Sequence, residues 1–199
     1  MYTKMSVSLD PNLDALRGTL SHRPPETNDD ESLLPASVFI LVYRKDGSYS
    51  LLLNKRSQMV EHHKGEVSFP GGARDPEDAT FLDAALRECQ EEMGIDPQDV
   101  TTLGQLDDVV TRSRFRVKVF VGTIPYPYAF EPSSVEIAEV LEVPISALLD
   151  PSNLREEVRW AGGNVVKSTC YAYGDHLIYG ATAQMVDRLL ELIPPGLRD

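Results

Sequence analysis

The stretch from residue 79 to residue 93 most constrains what this chain can become. Leu82, Leu86, Cys89 and Met93 recur at spacings of four, three and four residues, the repeat of an amphipathic helix, and Gly94 follows where such a helix ends in a left-handed residue. A helix of this kind buries one side and needs a surface to bury it against. The preceding sequence offers one: residues 36–43 form a β-branched and apolar run, Asp46 and Gly47 a turn pair, and residues 49–54 a second apolar run, which together predict a hairpin.

The rest of the chain extends this pattern. Strands are expected over residues 100–109 and 115–124, a short helix or turn over 144–149, a late hairpin over 165–173 and 177–179, and a closing helix over 183–193. Leu13, Leu16 and Leu20 after Asp10 suggest a further short helix, separated from the body by Pro24, Pro25 and a polar run over residues 27–31. The expected organisation is an N-terminal appendage over residues 1–35, one domain over 36–193 and a tail over 194–199. Strands interleaved with helices indicate an α/β or α+β sandwich.

Composition sets limits on function. No run approaches the roughly 18 apolar residues of a membrane span, and residues 1–20 lack the basic start and apolar core of a secretion signal. Cys89 and Cys170 stand far apart, so neither a disulfide framework nor a cysteine zinc site is expected, and a reducing cytoplasm fits. With 31 acidic against 19 basic residues the formal net charge is −12, which argues against nucleic acid as a partner. An anionic small molecule would need local neutralisation by a metal ion or a concentrated basic patch.

Both have candidates. Glu88, Glu91 and Glu92 stand at i, i+3 and i+4, so on the helix they share a face, and hard carboxylate oxygens there suit Mg²⁺ or Mn²⁺. Three carboxylates alone read more readily as a solvated acidic face, since charge runs usually face solvent. Phe69-Pro70-Gly71-Gly72 ahead of the helix adds a turn where backbone can approach a metal or phosphate closely. Arg112, Arg114, Arg116 and Lys118 alternate with Ser113, Phe115, Val117 and Val119, which on a strand makes one basic face, either a phosphate clamp or a charged edge.

Gly72 followed by Arg87-Glu88-Cys89-Gln90-Glu91-Glu92-Met93-Gly94-Ile95 resembles the Nudix box, G-x5-E-x7-R-E-U-x-E-E-x-G-U with U a bulky aliphatic residue. Fourteen residues separate Gly72 from Arg87 where the usual box has thirteen, and Asp78 stands near its first Glu, with Glu77 as a competitor. The resemblance implies a Nudix-type α/β/α sandwich with a mixed sheet and a catalytic loop-helix-loop. It further implies Glu88 and Glu92 as principal Mg²⁺ or Mn²⁺ ligands, Glu91 as a further ligand or proton acceptor, the Gly71 carbonyl as a backbone ligand and Arg87 as the group orienting the glutamates. Glu136 and Glu139 lie where many members supply an extra loop carboxylate. Cys89 replaces an aliphatic residue and is expected in the core.

Leu51-Leu52-Leu53-Asn54-Lys55-Arg56-Ser57, then His63-Lys64-Gly65-Glu66-Val67-Ser68-Phe69-Pro70-Gly71-Gly72, looks like the L-L-x-x-R-S…H-x-G-x-x-x-F-P-G-G signature of the coenzyme A diphosphatase branch. Tyr179-Gly180-Ala181-Thr182-Ala183 is similar to that branch's aromatic-G-x-T-A ending. Departures are Glu61, where some members carry Arg, and Val119, where some carry Pro. The resemblance implies hydrolysis of coenzyme A or its thioesters to adenosine 3′,5′-bisphosphate and 4′-phosphopantetheine or its acyl form. Arg56, His63, Lys64 and Gly72 become substrate contacts, joined by Arg112, Arg114 and Arg116 if the basic stripe is a clamp; adjacent His62 is a further phosphate candidate. The alternatives are a Nudix enzyme for another nucleoside diphosphate, such as ADP-ribose or NADH, and a non-catalytic nucleotide-binding module. A homodimer is a candidate assembly.

Overall fold

The computed structural model describes residues 9–59 and 63–198, so Glu61 and His62 lie outside the described residues. Helix α1 (Pro11–Ser21) opens the fold, capped by the Asp10 side chain on the Asn12 amide at 2.9 Å. The expected hairpin follows as β1 (Leu34–Lys45) and β2 (Ser48–Arg56). Short strands β3 (Val67–Ser68) and β4 (Gly71–Ala73) lead to α2 (Phe81–Met93). Strands β5 (Thr101–Val110), β6 (Phe115–Thr123) and β7 (Ile137–Pro144) complete a first sheet, and α3 (Ile145–Leu149) turns the chain. A second sheet of β8 (Leu154–Ala161), β9 (Asn164–Tyr173) and β10 (His176–Ile178) precedes α4 (Gly180–Leu192).

The first sheet has seven strands along the path β3-β2-β1-β6-β5, with β4 on β1 and β7 on β2. It is mixed, since β1 and β6 run parallel while β1 is antiparallel to β2 and β4. The first part of β1 pairs with β4 over Ala36 to Val38, and only its end pairs with β2 over Val42 to Lys45. This divergence lets Gly71 and Gly72 enter the sheet between β1 and the start of α2.

Alternation along β1 then sends residues to two cores. Ile40 and Val42 join α1 and α4 in one cluster, while Phe39, Leu41 and Tyr43 join Ala85, Cys89 and Met93 of α2 in the other. Helices therefore cover both faces, as in an α/β/α sandwich. The segment read as an appendage contributes Leu13, Leu16 and Leu20 to the first cluster, and Leu197 of the tail is buried there as well. Arg23 ties the connecting loop down through two bonds to Asp107, at 2.8 and 2.5 Å. Among the described residues no helix is long and apolar enough to cross a membrane.

Two sequence expectations change. Leu82 and Leu86 are only partly buried, while Ala84 and Ala85 are fully buried along with Cys89 and Met93, so the buried side of α2 includes small residues outside the leucine stripe. The basic stripe is not one strand: residues 111–114 form the β5–β6 turn, with Arg114 at φ 64° and its amide donating to the Thr111 carbonyl at 3.1 Å. Alternation starts only at Phe115.

Candidate active site

Helix α2 is held at both ends. Thr80 and Asp83 form a reciprocal capping box at its start, and Gly94 at φ 69° ends it. Fixed in this way, one turn directs Glu88 and Glu92 toward β2 and β4. The side chain of Glu92 is 1% exposed, that of Glu88 15% and that of Glu91 57%, so the three glutamates are not one solvent-facing acidic surface. Two are walled in and the third sits at the rim.

Glu92 is satisfied from three directions. Its Oε2 accepts from Asn54 Nδ2 at 3.0 Å and from the Gly71 amide at 3.1 Å, and its Oε1 from Arg56 at 3.0 Å. Burial nevertheless pushes its pKa up to about 7, with Glu88 and Glu136 adding like charge against the pull of the Gly71 amide and Arg56. Glu88 is also held above the usual carboxylate range, first by burial, with Arg87 opposing and Glu91 and Glu136 reinforcing.

Arg87 organises the rim. Its guanidinium donates to both Asp78 carboxylate oxygens at 3.1 and 3.0 Å, to the Ala73 carbonyl at 3.1 Å, to Glu88 at 3.0 Å and to Glu91 at 2.9 Å. Arg87 in turn holds the 7% exposed Asp78 below its ordinary pKa. Asp78 thus acts on α2 through Arg87, a role its displaced spacing in the sequence did not disclose.

The two glycines are required by this packing. Gly71 has φ 153°, and a Cβ there would stand 2.6 Å from Val38 Cα; a Cβ on Gly72 would stand 2.5 Å from Glu88 Oε1. Only backbone fits between β1 and the carboxylates.

Beside this wall opens a cavity of about 530 Å³. Arg56, His63, Gly71, Gly72 and Arg112 all line it, so residues far apart in sequence meet at one site. The start of α4, Tyr179 to Thr182, closes another side, with Thr182 Oγ1 donating to the Val67 carbonyl at 3.0 Å. Other expected residues are directed elsewhere. Lys64 is exposed and does not line the cavity; Arg114 reaches Ser32; Arg116 donates to the Asn28 carbonyl at 2.7 Å; Lys118 pairs with Asp108 at 2.9 Å. Glu139 stands 3.3 Å from His176, whereas Glu136 is close enough to act on the charges of Glu88 and Glu92.

Sequence reasoning missed Asn54 and Arg159. Asn54 is fully buried at the end of the apolar run Leu51-Leu52-Leu53, and a polar residue closing such a run was the available signal. Arg159 lines the cavity from β8, a strand not foreseen.

A NUDIX domain model matches residues 33–163. A protein described as uncharacterized Nudix hydrolase NudL from Salmonella newport is 34% identical over 185 residues, spanning 89% of this chain and 96% of that protein. Another of the same description from Photorhabdus laumondii is 32% identical over 170 residues, 85% of this chain and 90% of its own length. The chain belongs to the Nudix family. A MutT/nudix family protein from Enterococcus faecalis shares the fold at a TM-score of 0.52 and 16% identity over 87% of this chain and 66% of that one. A NUDIX hydrolase from Alicyclobacillus acidocaldarius does so at 0.51 and 18% over 59% and 81%. The Nudix match ends before α4, so Tyr179 to Thr182 bring part of the cavity wall from beyond it.

The donor set fits the divalent cation that the Nudix fold implies. Glu88 and Glu92 are hard oxygen donors in a partly dry wall, with Glu136 adding like charge, and a cation offsets the burial that disfavours their ionised forms. Among the described residues no three acidic or imidazole groups already converge as a coordination sphere; Glu91 is turned to Arg87 and the Glu92 oxygens are engaged by donors. Glu88 and Glu92 would hold the ion, with Gly71 contributing backbone.

Proposed function

We propose that the protein hydrolyses the diphosphate of coenzyme A or an acyl-coenzyme A, releasing adenosine 3′,5′-bisphosphate and 4′-phosphopantetheine or its acyl form. As a Nudix hydrolase it acts on the pyrophosphate bond of a nucleoside diphosphate derivative. The coenzyme A assignment rests on Arg56, His63, Gly71 and Gly72, which come from both halves of the branch signature and line one cavity beside Glu88 and Glu92.

In this reading a water oxygen attacks one phosphorus and the anhydride P–O bond breaks. The bridging electron pair leaves with the departing phosphate, and the water proton passes to a carboxylate. Bound Mg²⁺ or Mn²⁺ supplies polarisation of a phosphoryl oxygen and neutralises charge that develops there. The chain's own residues do the positioning: Asp78 fixes Arg87, Arg87 fixes Glu88, and Asn54 with the Gly71 amide fixes Glu92. Glu136 is the assigned proton acceptor; Glu139 is engaged by His176 and Glu91 by Arg87. Arg56 and His63 are assigned to the substrate phosphates.

The test incubates purified protein with Mg²⁺ and, separately, coenzyme A, 3′-dephospho-coenzyme A, ADP-ribose and NADH, and identifies products chromatographically. Preferential release of adenosine 3′,5′-bisphosphate supports the assignment. Faster turnover of ADP-ribose or NADH refutes the coenzyme A reading and leaves Nudix hydrolysis standing. No turnover of any of the four moves the weight to a binding module.

A further inference from the structure

Four basic side chains line the cavity among the described residues, and three of them face a carboxylate. Arg56 is paired with Glu92 at 3.0 Å, Arg112 with Glu157 at 2.8 Å, and His63 Nδ1 lies 3.0 Å from Glu66. Among the described residues Arg159 is the remaining basic side chain on the lining and has no ion-pair partner within 4.0 Å. Its Nε is buried and has no hydrogen-bond partner. A buried N–H left without an acceptor costs stability unless a ligand supplies one.

The surrounding strand explains why the charge persists. Glu157 and Arg159 are two residues apart on β8 and share a face, so Glu157 is the natural local partner. Glu157 instead accepts from Arg112 and from Ser168 Oγ, at 2.8 and 3.2 Å. The β5–β6 turn and the β8–β9 hairpin therefore form a wall with two guanidiniums and one carboxylate. In a chain of net charge −12 this is a local reversal of sign.

Resting on the coenzyme A reading, we infer that Arg159, backed by Arg112, binds a phosphate monoester of the substrate separate from the diphosphate that is cleaved. A guanidinium offers a planar pair of donors that matches phosphate oxygens, and a partly dry site strengthens the contact. The cavity has room for a nucleoside beyond the diphosphate, and its apolar lining, including Phe69, Phe115 and Val117, suits uncharged parts of such a ligand. Arg159 is thus a specificity residue rather than part of the chemical step, and it replaces Arg114 and Arg116 as partner to Arg112.

The experiment compares wild type with Arg159→Met and Arg159→Lys, after thermal unfolding has shown all three to be folded. Isothermal titration measures binding of adenosine 3′,5′-bisphosphate and of AMP, and steady-state kinetics compare coenzyme A with 3′-dephospho-coenzyme A. Wild type should favour the bisphosphate by at least about tenfold, as a charge-assisted contact implies. Arg159→Met should bring that ratio to near unity and raise KM for coenzyme A without slowing 3′-dephospho-coenzyme A, and Arg159→Lys should restore part of the ratio. An unchanged ratio in Arg159→Met, or equal weakening of both ligands, overturns the assignment. Failure of the substrate reading registers separately, as wild-type turnover of ADP-ribose or NADH but not of coenzyme A; the binding ratio still decides the role of Arg159.

Discussion

Replacing Gly72 with alanine should separate activity from stability. Gly72 does not occupy the left-handed region, so alanine can adopt its backbone conformation. The new Cβ would stand 2.5 Å from Glu88 Oε1, 2.7 Å from Cδ and 2.9 Å from Oε2. Comfortable non-bonded contact is about 3.5 Å, so the carboxylate must retreat by about 1 Å. It is the far end of a flexible side chain and can do so without moving the sheet. A misplacement of that size at a reacting centre costs on the order of 10²-fold in rate, or about 2.7 kcal/mol of barrier. The loss of unfolded-state freedom stabilises by about 0.4–1 kcal/mol and offsets part of the strain, so Tm should move by no more than about 4 °C. Gly71→Ala is the contrasting case: its Cβ meets Val38 Cα at 2.6 Å with φ at 153°, the obstacle is backbone, and the fold itself should lose at least about 2 kcal/mol. Thermal unfolding and kcat on the preferred substrate read both effects. Wild-type kcat in a folded Gly72→Ala, or a stability loss matching that of Gly71→Ala, would refute the claim that this glycine makes room for Glu88.

Three further outcomes follow from the geometry. Glu136→Gln should lower kcat at least about tenfold while Glu139→Gln stays within about twofold, because only Glu136 adjoins Glu88 and Glu92; the reverse ranking in steady-state kinetics removes Glu136 as proton acceptor. Asp107→Asn should cost about 1 kcal/mol at pH 7, discounted because the partner Arg23 is partly exposed. Since Arg23 lowers the Asp107 pKa, that stabilisation is present above the ordinary value near 3.9 and is lost as pH falls through the lower folded value; mutant and wild-type unfolding curves should converge in that acid range and not at alkaline pH. Cys89 is fully buried and burial pushes its thiol up, so thiol reagents should leave kcat intact in the folded protein, while Cys89→Ala should lower stability by about 1–2 kcal/mol; rapid inactivation by the reagent would contradict this.

The elements legible in the sequence were those whose apolar run or burial period was long enough to show. The β1–β2 hairpin, β5, β6, α2 and α4 all meet that condition. Strands β3 and β4 are two and three residues long and exist because β2 and β1 accept them, which no local pattern announces. Strand β7 pairs with β2 across a register shift at Lys55 and Arg56, and its buried positions do not alternate evenly. Strand β8 alternates, yet Val158 and Trp160 are 57% and 73% exposed, so apolar spacing there was not a sign of burial. At the site, the glutamate spacing put Glu88, Glu91 and Glu92 on one stretch of α2. It could not distinguish buried Glu92 from exposed Glu91, because that depends on where Asn54, Arg56 and Gly71 come to roof the helix. The basic stripe misled for a related reason: two of its four members belong to a turn, and two are engaged by Asn28 and Asp108.

The most direct test of the account measures diphosphate hydrolysis against Mg²⁺ concentration for wild type, Glu88→Gln and Glu92→Gln, with folding of each checked by thermal unfolding. Wild-type turnover should rise to saturation with Mg²⁺ and vanish with a chelator, and both folded variants should lose at least about a hundredfold and require more metal. Metal-independent hydrolysis by the wild type, or near-normal turnover in folded Glu92→Gln, would contradict the assignment of this buried wall as the metal site.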